Sequence, residues 1–281
     1  MGLGDVYKRQ IYDLIEIYAI GILKGTFSAR ASAISWSFFL SLFPFLLFLL
    51  NLIPIINIDG FQENFFQFIT SALPEQSTLF FEEICTDISS NPRGGLLSTV
   101  FILSLFLMTN GINAVFSGFE YSYHVTLNRN FIKQYIVALG VSLIVASLLL
   151  ITVIVTLYFS YLLENLKEIG VVDNTVFWLQ FGKYGLFVLM IFLIVATLFY
   201  FGTTEGKMNR FLSPGAFMTT LLIIVTTYLF GIYIDNFSNY NKLYGSIGAM
   251  LILMIYIWLN ANLLLLGFEL NASLIKLKKN F

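Results

Sequence analysis

Long uncharged apolar segments alternate with shorter charged segments along this chain. Six windows of roughly 20 residues or more contain no Asp, Glu, Lys or Arg, and a helix of about that length crosses the ~30 Å hydrocarbon core of a bilayer. The windows lack the strand-length alternation of a membrane β-barrel, so the pattern predicts transmembrane helices. The six predicted spans are near 31–58, 94–119, 134–163, 184–204, 211–234 and 243–268.

Two segments outside these windows have amphipathic patterns. Residues 11–28 place five apolar side chains on one helical face, which predicts an N-terminal interfacial helix; a helix packed against the bundle fits equally well. Residues 59–93 are acidic and hold two amphipathic stretches separated by Pro74, which predicts an external helical hairpin. Residues 1–10 resemble a translated sequencing-adapter fragment, so we assign them no function. The apolar face of the first segment consists of Ile11, Leu14, Ile15, Tyr18 and Ile22.

Composition supports the same class of protein. The chain is 58% hydrophobic and only 11% charged, less than half of the roughly 25% charge of a soluble domain. No linker divides it, so residues 1–281 are expected to form one membrane domain of the all-α class, a polytopic six-helix bundle. Membrane lipids are the expected surroundings, and a homo-oligomer is compatible with the pattern.

Charge and motifs argue against several functions. The net charge of −1 does not favour nucleic-acid binding. A single cysteine, Cys85, and a single histidine, His124, argue against disulfides and most metal sites. The motifs GxSxG, HExxH and GxxxxGK[ST] are absent. We therefore expect no enzyme activity, no metal site and no cofactor.

The positions of Lys and Arg predict the orientation. With six spans both termini lie on one side, and that side carries eleven of the fifteen Lys and Arg residues. Because cytoplasmic loops are enriched in these residues, both termini are predicted to be cytoplasmic. The four cations on the predicted outer side are Arg93, Lys167, Lys183 and Lys242.

Polar side chains in the second span form a stripe. At 100° per residue its five members lie within about 80° of one another. This stripe predicts the wall of a polar cavity or a proton path, while hydrogen bonds between helices are the alternative explanation. Its members are Asn110, Asn113, Ser117, Glu120 and His124.

The sixth span has polar residues on two faces. Asn260, Gly267 and Asn271 share one face, and Asn262 and Glu269 share another, so we expect this helix in the middle of the bundle. Glu269 is expected to form an ion pair with Lys276 or a basic loop residue near the cytoplasmic end. All four polar side chains are candidates for a cavity or for contact with a lipid headgroup.

Further candidates lie near the ends of the spans. Arg30 shares a face with Ser37 and Ser41 and is a candidate headgroup contact, as is Arg93, which could hold a lipid phosphate or only extend towards the interface. Pro44 should kink the first span. Small residues are expected to permit flexibility or close helix packing at Gly94, Gly95, Gly245, Gly248 and Gly267.

Three segments give the chain a family resemblance. ASAISWSFFLSLFPFLLFLL, NPRGGLLS and NYNKLYGSIGAMLILMIYIWLNANLLLLGFELNASL, in this order, resemble the YihY/BrkB family of bacterial inner-membrane proteins. The resemblance covers roughly residues 20–275 and implies about six spans in the cytoplasmic membrane. The chain departs from the family at Asn260 and Asn262, in a stretch that is usually more apolar.

The resemblance also bears on function. Some members carry a ribonuclease BN label, but this sequence lacks a basic RNA-binding surface and a cluster of metal-binding carboxylates. One branch is linked to export of a lipid A precursor, which implies transport or flipping of a lipid or other amphiphile of the cell envelope. The alternative is a non-transporting envelope scaffold that acts through the external hairpin at 59–93.

Overall fold

Seven α-helices account for nearly all of the chain that the computed structural model describes, and no strand occurs in that part. The described residues are 3–24, 26–52, 97–122, 125, 129–168, 175–204, 211–236 and 246–279. The helices are α1 (Leu3–Lys24), α2 (Phe27–Leu52), α3 (Leu97–Glu120), α4 (Phe131–Glu168), α5 (Thr175–Gly202), α6 (Pro214–Asn236) and α7 (Ser246–Lys279).

The predicted class, an all-α polytopic membrane bundle, is confirmed. Five of the described helices are long and apolar enough to cross a membrane. The helix α2 is not one of these five, although it covers most of the first predicted window and contains Pro44. The count of six spans and the kink at Pro44 therefore stay predictions. The five segments are Ile102–Glu120, Phe131–Thr156, Phe177–Gly202, Pro214–Ile234 and Met250–Lys278.

Local sequence explains where several helices begin. Ser213 precedes α6 and accepts a hydrogen bond from the Ala216 N–H at 3.3 Å, while Pro214 occupies the first helical position, where its missing N–H costs nothing. Asn130 precedes α4, and its carbonyl accepts the Gln134 N–H at 2.9 Å. Both helices thus start at residues typical of N-caps.

The six helices α2–α7 form a closed circuit in chain order. Each packs against the next, and α7 returns to pack against α2. Two cross-contacts, of α3 with α5 and of α3 with α7, fill the middle. The start of α2 meets the end of α3, where Arg30 bonds Gly118. The start of α6 meets the end of α7, where Gly215 bonds Asn271. Adjacent helices therefore run antiparallel. We call the end of the bundle that holds these two contacts the terminal end.

The core of the terminal half is centred on three buried phenylalanines. Phe119 stacks on Phe268 with ring centroids 4.2 Å apart, and Phe199 meets both rings edge-on at 5.6 and 6.0 Å. These rings join α3, α5 and α7 across the middle of the circuit. Aromatic pairs of this geometry add about 0.5–1.5 kcal/mol each beyond their buried area.

The outer surface of the bundle is apolar. Large hydrophobic side chains on α3, α4 and α6 are exposed, including Ile102, Ile151 and Leu221. Such a continuous apolar exterior is unsuited to water and suited to lipid tails. Exposed aromatic residues also cluster at the start of α5, as they do at the edges of membrane-spanning helices. They are Phe177, Trp178, Phe181 and Tyr184.

The N-terminal helix has features of both predicted alternatives. It packs on α7, where the Tyr18 hydroxyl donates to the Leu266 carbonyl at 3.3 Å. Tyr12 and Ile15 nevertheless remain exposed, as an interfacial helix requires. The helix spans Leu3–Lys24, so it begins and ends earlier than the predicted segment 11–28. The predicted external hairpin at 59–93 lies outside the described residues.

Candidate functional site

Two oppositely charged side chains are buried together at the terminal end. Arg30 at the start of α2 is 6% exposed, and Glu269 near the end of α7 is 0% exposed. The Ser122 hydroxyl, just after α3, donates to Glu269 Oε2 at 2.6 Å. The Glu269 carboxylate also interacts electrostatically with Arg30. We call Arg30, Ser122 and Glu269 the terminal polar centre.

Arg30 closes the end of a neighbouring helix. Its Nη1 donates to the Gly118 carbonyl at 2.9 Å, in the last turn of α3, where helix carbonyls lack intrahelical partners. The guanidinium also lies over the Phe27 ring, 5.0 Å from its centroid, within cation–π distance. Its Nε and Nη2 are both buried without a hydrogen-bond partner among the described residues.

The helix α1 packs over Glu269, and Gly21 is the residue of α1 that approaches the Glu269 side chain. A Cβ atom at Gly21 would overlap the Glu269 carboxylate, so only glycine permits this approach of α1 to α7. One turn earlier, burial and then the Glu269 charge raise the pKa of Tyr18, which keeps its hydroxyl protonated and able to donate to Leu266. These contacts fix the position of α1 over the terminal polar centre.

A second arginine, Arg129, joins three helices at the same end. Its Nη1 and Nη2 donate to the Phe201 carbonyl at 2.5 Å and the Thr203 carbonyl at 2.7 Å, which closes the end of α5. Its backbone N–H donates to Glu120 Oε1 at 3.2 Å. Burial lowers the pKa of Arg129, and the Glu120 charge opposes that shift. From the sequence, Arg129 was predicted only to be one of the cations on the cytoplasmic side.

Two residues of the polar stripe of α3 form hydrogen bonds to α4. Asn110 Oδ1 accepts the Tyr135 hydroxyl at 3.2 Å, and the Ser117 hydroxyl accepts Gln134 Nε2 at 3.2 Å. These bonds support the interhelical alternative for Asn110 and Ser117. Asn113 differs, because its Oδ1 is buried without a hydrogen-bond partner in the described part of the chain.

The asparagines of α7 divide into two kinds. Asn260 and Asn262 donate to carbonyls one turn earlier in their own helix, at 2.8 and 2.7 Å. Asn271 instead joins two helices, since its Oδ1 accepts the Gly215 N–H and its Nδ2 donates to the Ser213 hydroxyl, both at 2.9 Å. Asn271 therefore holds the start of α6 against α7.

The predicted partner of Glu269 was a basic residue such as Lys276. The structure places Ser122 and Arg30 at this carboxylate, and pairing with Lys276 stays a prediction. The predicted residues that lie outside the described residues are Arg93, Gly94, Gly95, His124 and Gly245. Among the residues that are described, no group of three or more His, Cys, Asp or Glu could hold a metal ion.

Close helix packing depends mostly on glycines that the sequence analysis did not select. A Cβ at Gly111 would crowd Ser41, and one at Gly118 would crowd Ile34, so glycines seven residues apart bring α3 close to α2. The spacing of seven residues between these two glycines was the sequence signal that could have identified this close approach. Of the predicted packing glycines, Gly267 lies against Thr219 and the Gly215 carbonyl of α6, and Gly248 is buried.

Together these features define the class of protein. The fold is a polytopic membrane bundle with an apolar exterior, and its site is a buried charged pair at the end where the helix circuit closes. Within that class, the chain belongs to the family described as Virulence factor BrkB, whose model matches residues 21–280.

Several curated proteins are similar to this chain. The ribonuclease-like protein YfkH of Bacillus subtilis is 28% identical over 252 residues, which cover 89% of this chain and 91% of YfkH. A UPF0761 membrane protein of Coxiella burnetii is 22% identical over 95% of this chain and 94% of its own length. A UPF0761 membrane protein of Psychrobacter sp. is 22% identical over 95% of this chain, which spans only 49% of that relative. No solved structure matches the chain.

Proposed function

We propose that this protein transports or flips a lipid or other amphiphile of the cell envelope across the bacterial inner membrane. The observation that carries the proposal is the burial of the charged side chains of Arg30 and Glu269 together inside the helix bundle. Charged groups buried inside a membrane bundle are costly, and in membrane proteins they commonly mark the path of a polar substrate. An amphiphile has the matching chemistry, because its tails fit the lipid-facing exterior and its headgroup fits a polar centre.

The placement of the centre supports this role. It lies where α2, α3 and α7 meet, with α1 packed over Glu269, so it is enclosed by four helices. With both termini in the cytoplasm, as the distribution of Lys and Arg predicts, the centre would lie near the headgroups of the inner leaflet. A headgroup could reach it from that leaflet with little displacement along the membrane normal.

Two other functions have less support. A ribonuclease needs a basic surface for RNA, whereas the chain has a net charge of −1. A scaffold that acts through residues 59–93 remains the alternative function, and it predicts no lipid movement. The relatives' names describe membrane proteins apart from the ribonuclease-like label, and none names a lipid or other amphiphile.

The test is reconstitution of the purified full-length protein into liposomes with fluorescent lipids of several headgroups. Dithionite, which does not cross the bilayer, quenches the outer-leaflet label and so reports movement between leaflets. We expect faster movement of at least one lipid with the protein than in protein-free liposomes, with or without a pH gradient. Rates equal to those of protein-free liposomes, for every headgroup and with or without the pH gradient, would contradict transport and favour the scaffold.

A further inference from the structure

One edge of the Arg30 guanidinium is left without hydrogen bonds. Nη1 donates to the Gly118 carbonyl, but Nε and Nη2 are buried and have no hydrogen-bond partner among the described residues. A guanidinium in this state is costly, because a buried donor without an acceptor loses its hydration and gains nothing in return. The arrangement therefore calls for an acceptor.

The geometry of the two nitrogens without partners indicates which kind of group could bind them. Nε–H and one N–H of Nη2 point in parallel from the same edge of the planar guanidinium. This fork matches two oxygens of one phosphate or carboxylate, and it is the geometry in which arginine binds phosphate bidentately. A single carbonyl or hydroxyl would satisfy only half of it.

The start of α2 favours an anion at this edge. Arg30 lies in the first turn of α2, whose leading N–H groups give that end a partial positive charge. The nearby carboxylate of Glu269 opposes an incoming anion, but its Oε2 accepts the Ser122 hydroxyl at 2.6 Å, and this bond ties Glu269 to the end of α3. The Phe27 ring lies over one face of the guanidinium and does not use the Nε/Nη2 edge.

We propose that the Nε/Nη2 edge of Arg30 binds a phosphate group, either in the headgroup of an anionic lipid or as free phosphate. The inference rests on the proposed function and gives its substrate a chemical class. Both nitrogens are enclosed in this structure, so binding requires movement of the Phe27 ring or of the adjoining α1–α2 turn. That turn contains Thr26, which has a positive φ of 47°.

The variant Arg30→Lys separates recognition from helix capping. Lysine keeps the positive charge and can still donate to the Gly118 carbonyl, but it cannot present two parallel donors. Arg129→Lys is the matched control, because Arg129 caps α5 at the same end of the bundle with its Nη1 and Nη2. Thermal unfolding of both variants establishes that each one folds.

Binding is measured by calorimetry on the detergent-purified full-length protein. The three probes are a short-chain phosphatidic acid, diacylglycerol with the same chains, and inorganic phosphate. We expect wild type and Arg129→Lys to bind phosphatidic acid, Arg30→Lys to bind it about tenfold more weakly, as loss of one charged hydrogen bond implies, and diacylglycerol not to bind.

The outcomes distinguish the source of the phosphate. Binding of phosphatidic acid alone, weakened by Arg30→Lys, supports a lipid headgroup; comparable binding of inorganic phosphate, weakened in the same way, supports a free ion. If neither phosphate probe binds, or if Arg30→Lys binds like wild type, the proposal is overturned.

A second readout uses the wild-type protein and so does not depend on the folding of Arg30→Lys. Phosphatidic acid should shift one arginine Nε–H resonance in the nuclear magnetic resonance spectrum, and that resonance should persist in Arg129→Lys. No shifted resonance, or loss of the shifted one in Arg129→Lys, would contradict the assignment. Phosphate binding without lipid movement would refute the proposed transport alone, whereas lipid movement that is insensitive to Arg30→Lys would refute this inference alone.

Discussion

Arg30 and Arg129 perform the same structural task at two neighbouring places. Each donates to carbonyls at the end of a helix, α3 for Arg30 and α5 for Arg129, where the partial negative charge of the helix favours a cation. They differ in how much of the guanidinium the cap uses. Arg129 uses both terminal nitrogens, whereas Arg30 uses one and retains a two-nitrogen edge that suits an anion.

Gly21 offers a direct test of the packing around Glu269. In Gly21→Ala the new methyl group would overlap the carboxylate, so we expect a loss of about 1–3 kcal/mol in unfolding free energy. The matched control is Gly140→Ala in α4, where a Cβ meets nothing within 4 Å and alanine should be neutral or up to about 1 kcal/mol stabilising. Thermal unfolding in detergent measures both, and equal behaviour of the two variants would contradict the packing.

Thr26 tests the turn between α1 and α2. Its φ of 47° is unfavourable for a β-branched residue, whereas asparagine tolerates this conformation. We expect Thr26→Asn to raise the unfolding free energy by about 1 kcal/mol. Thr26→Val keeps the β-branch and should give no gain. An equal increase for both variants in thermal unfolding would show that backbone strain is not the cause.

At the residue scale, the sequence predicted part of the candidate site. Arg30 stood out because it shares a helical face with Ser37 and Ser41, and Glu269 because it adds a charge to a polar face of the sixth span. Gly21, Gly118 and Ser122 did not, because their roles depend on contacts with helices far away in the chain. Gly21 and Glu269 are brought together only when α1 folds onto α7.

At the scale of elements, the charge pattern predicted which segments form helices but not how long those helices are. The helix α4 runs over Phe131–Glu168 and α7 over Ser246–Lys279, both longer than the charge-free windows that predicted them. Charged residues such as Lys133 and Lys276 lie within the helices near their ends. Charges are tolerated there because long side chains reach the polar interface, so a window defined by absent charge ends too early.

The junction of α6 with α7 should behave as one coupled unit. Ser213 caps α6 and also accepts a hydrogen bond from Asn271, which in turn accepts one from Gly215. Ser213→Ala and Asn271→Ala should each lower the unfolding free energy by about 1 kcal/mol. The double variant should lose less than the sum, by about 0.6 kcal/mol, a typical interhelical bond in a membrane.

Unfolding of all four proteins in one detergent gives this coupling energy. The pair Thr152 and Thr197, whose hydroxyls bond carbonyls in their own helices, is the control, and Thr152→Ala with Thr197→Ala should be additive. Strict additivity of Ser213→Ala and Asn271→Ala would show that the two side chains do not cooperate.

At the scale of the whole molecule, the helix circuit determines which polar groups can act on a substrate. The stripe on α3 is engaged with α4, where Asn110 and Ser117 hold neighbouring helices together. The terminal polar centre instead lies where α7 closes the circuit onto α2 and α3. A single helical wheel could not separate these roles, because it shows which residues share a face but not which helix that face meets.

The central claim is that the terminal polar centre, and not the α3 stripe, handles the amphiphile. Arg30→Lys keeps the charge but removes the two-nitrogen edge of the terminal polar centre, while Asn110→Ala removes a hydrogen bond between α3 and α4. Both are compared with wild type after gel filtration and thermal unfolding show that they fold.

The most direct measurement is the rate of lipid movement in dithionite-quenched proteoliposomes containing each of these three proteins. The account predicts a rate for wild type well above that of protein-free liposomes, a fall of about tenfold or more in Arg30→Lys, and a change within about twofold in Asn110→Ala. A wild-type rate equal to that of protein-free liposomes, or a loss in Asn110→Ala with Arg30→Lys unaffected, would contradict it.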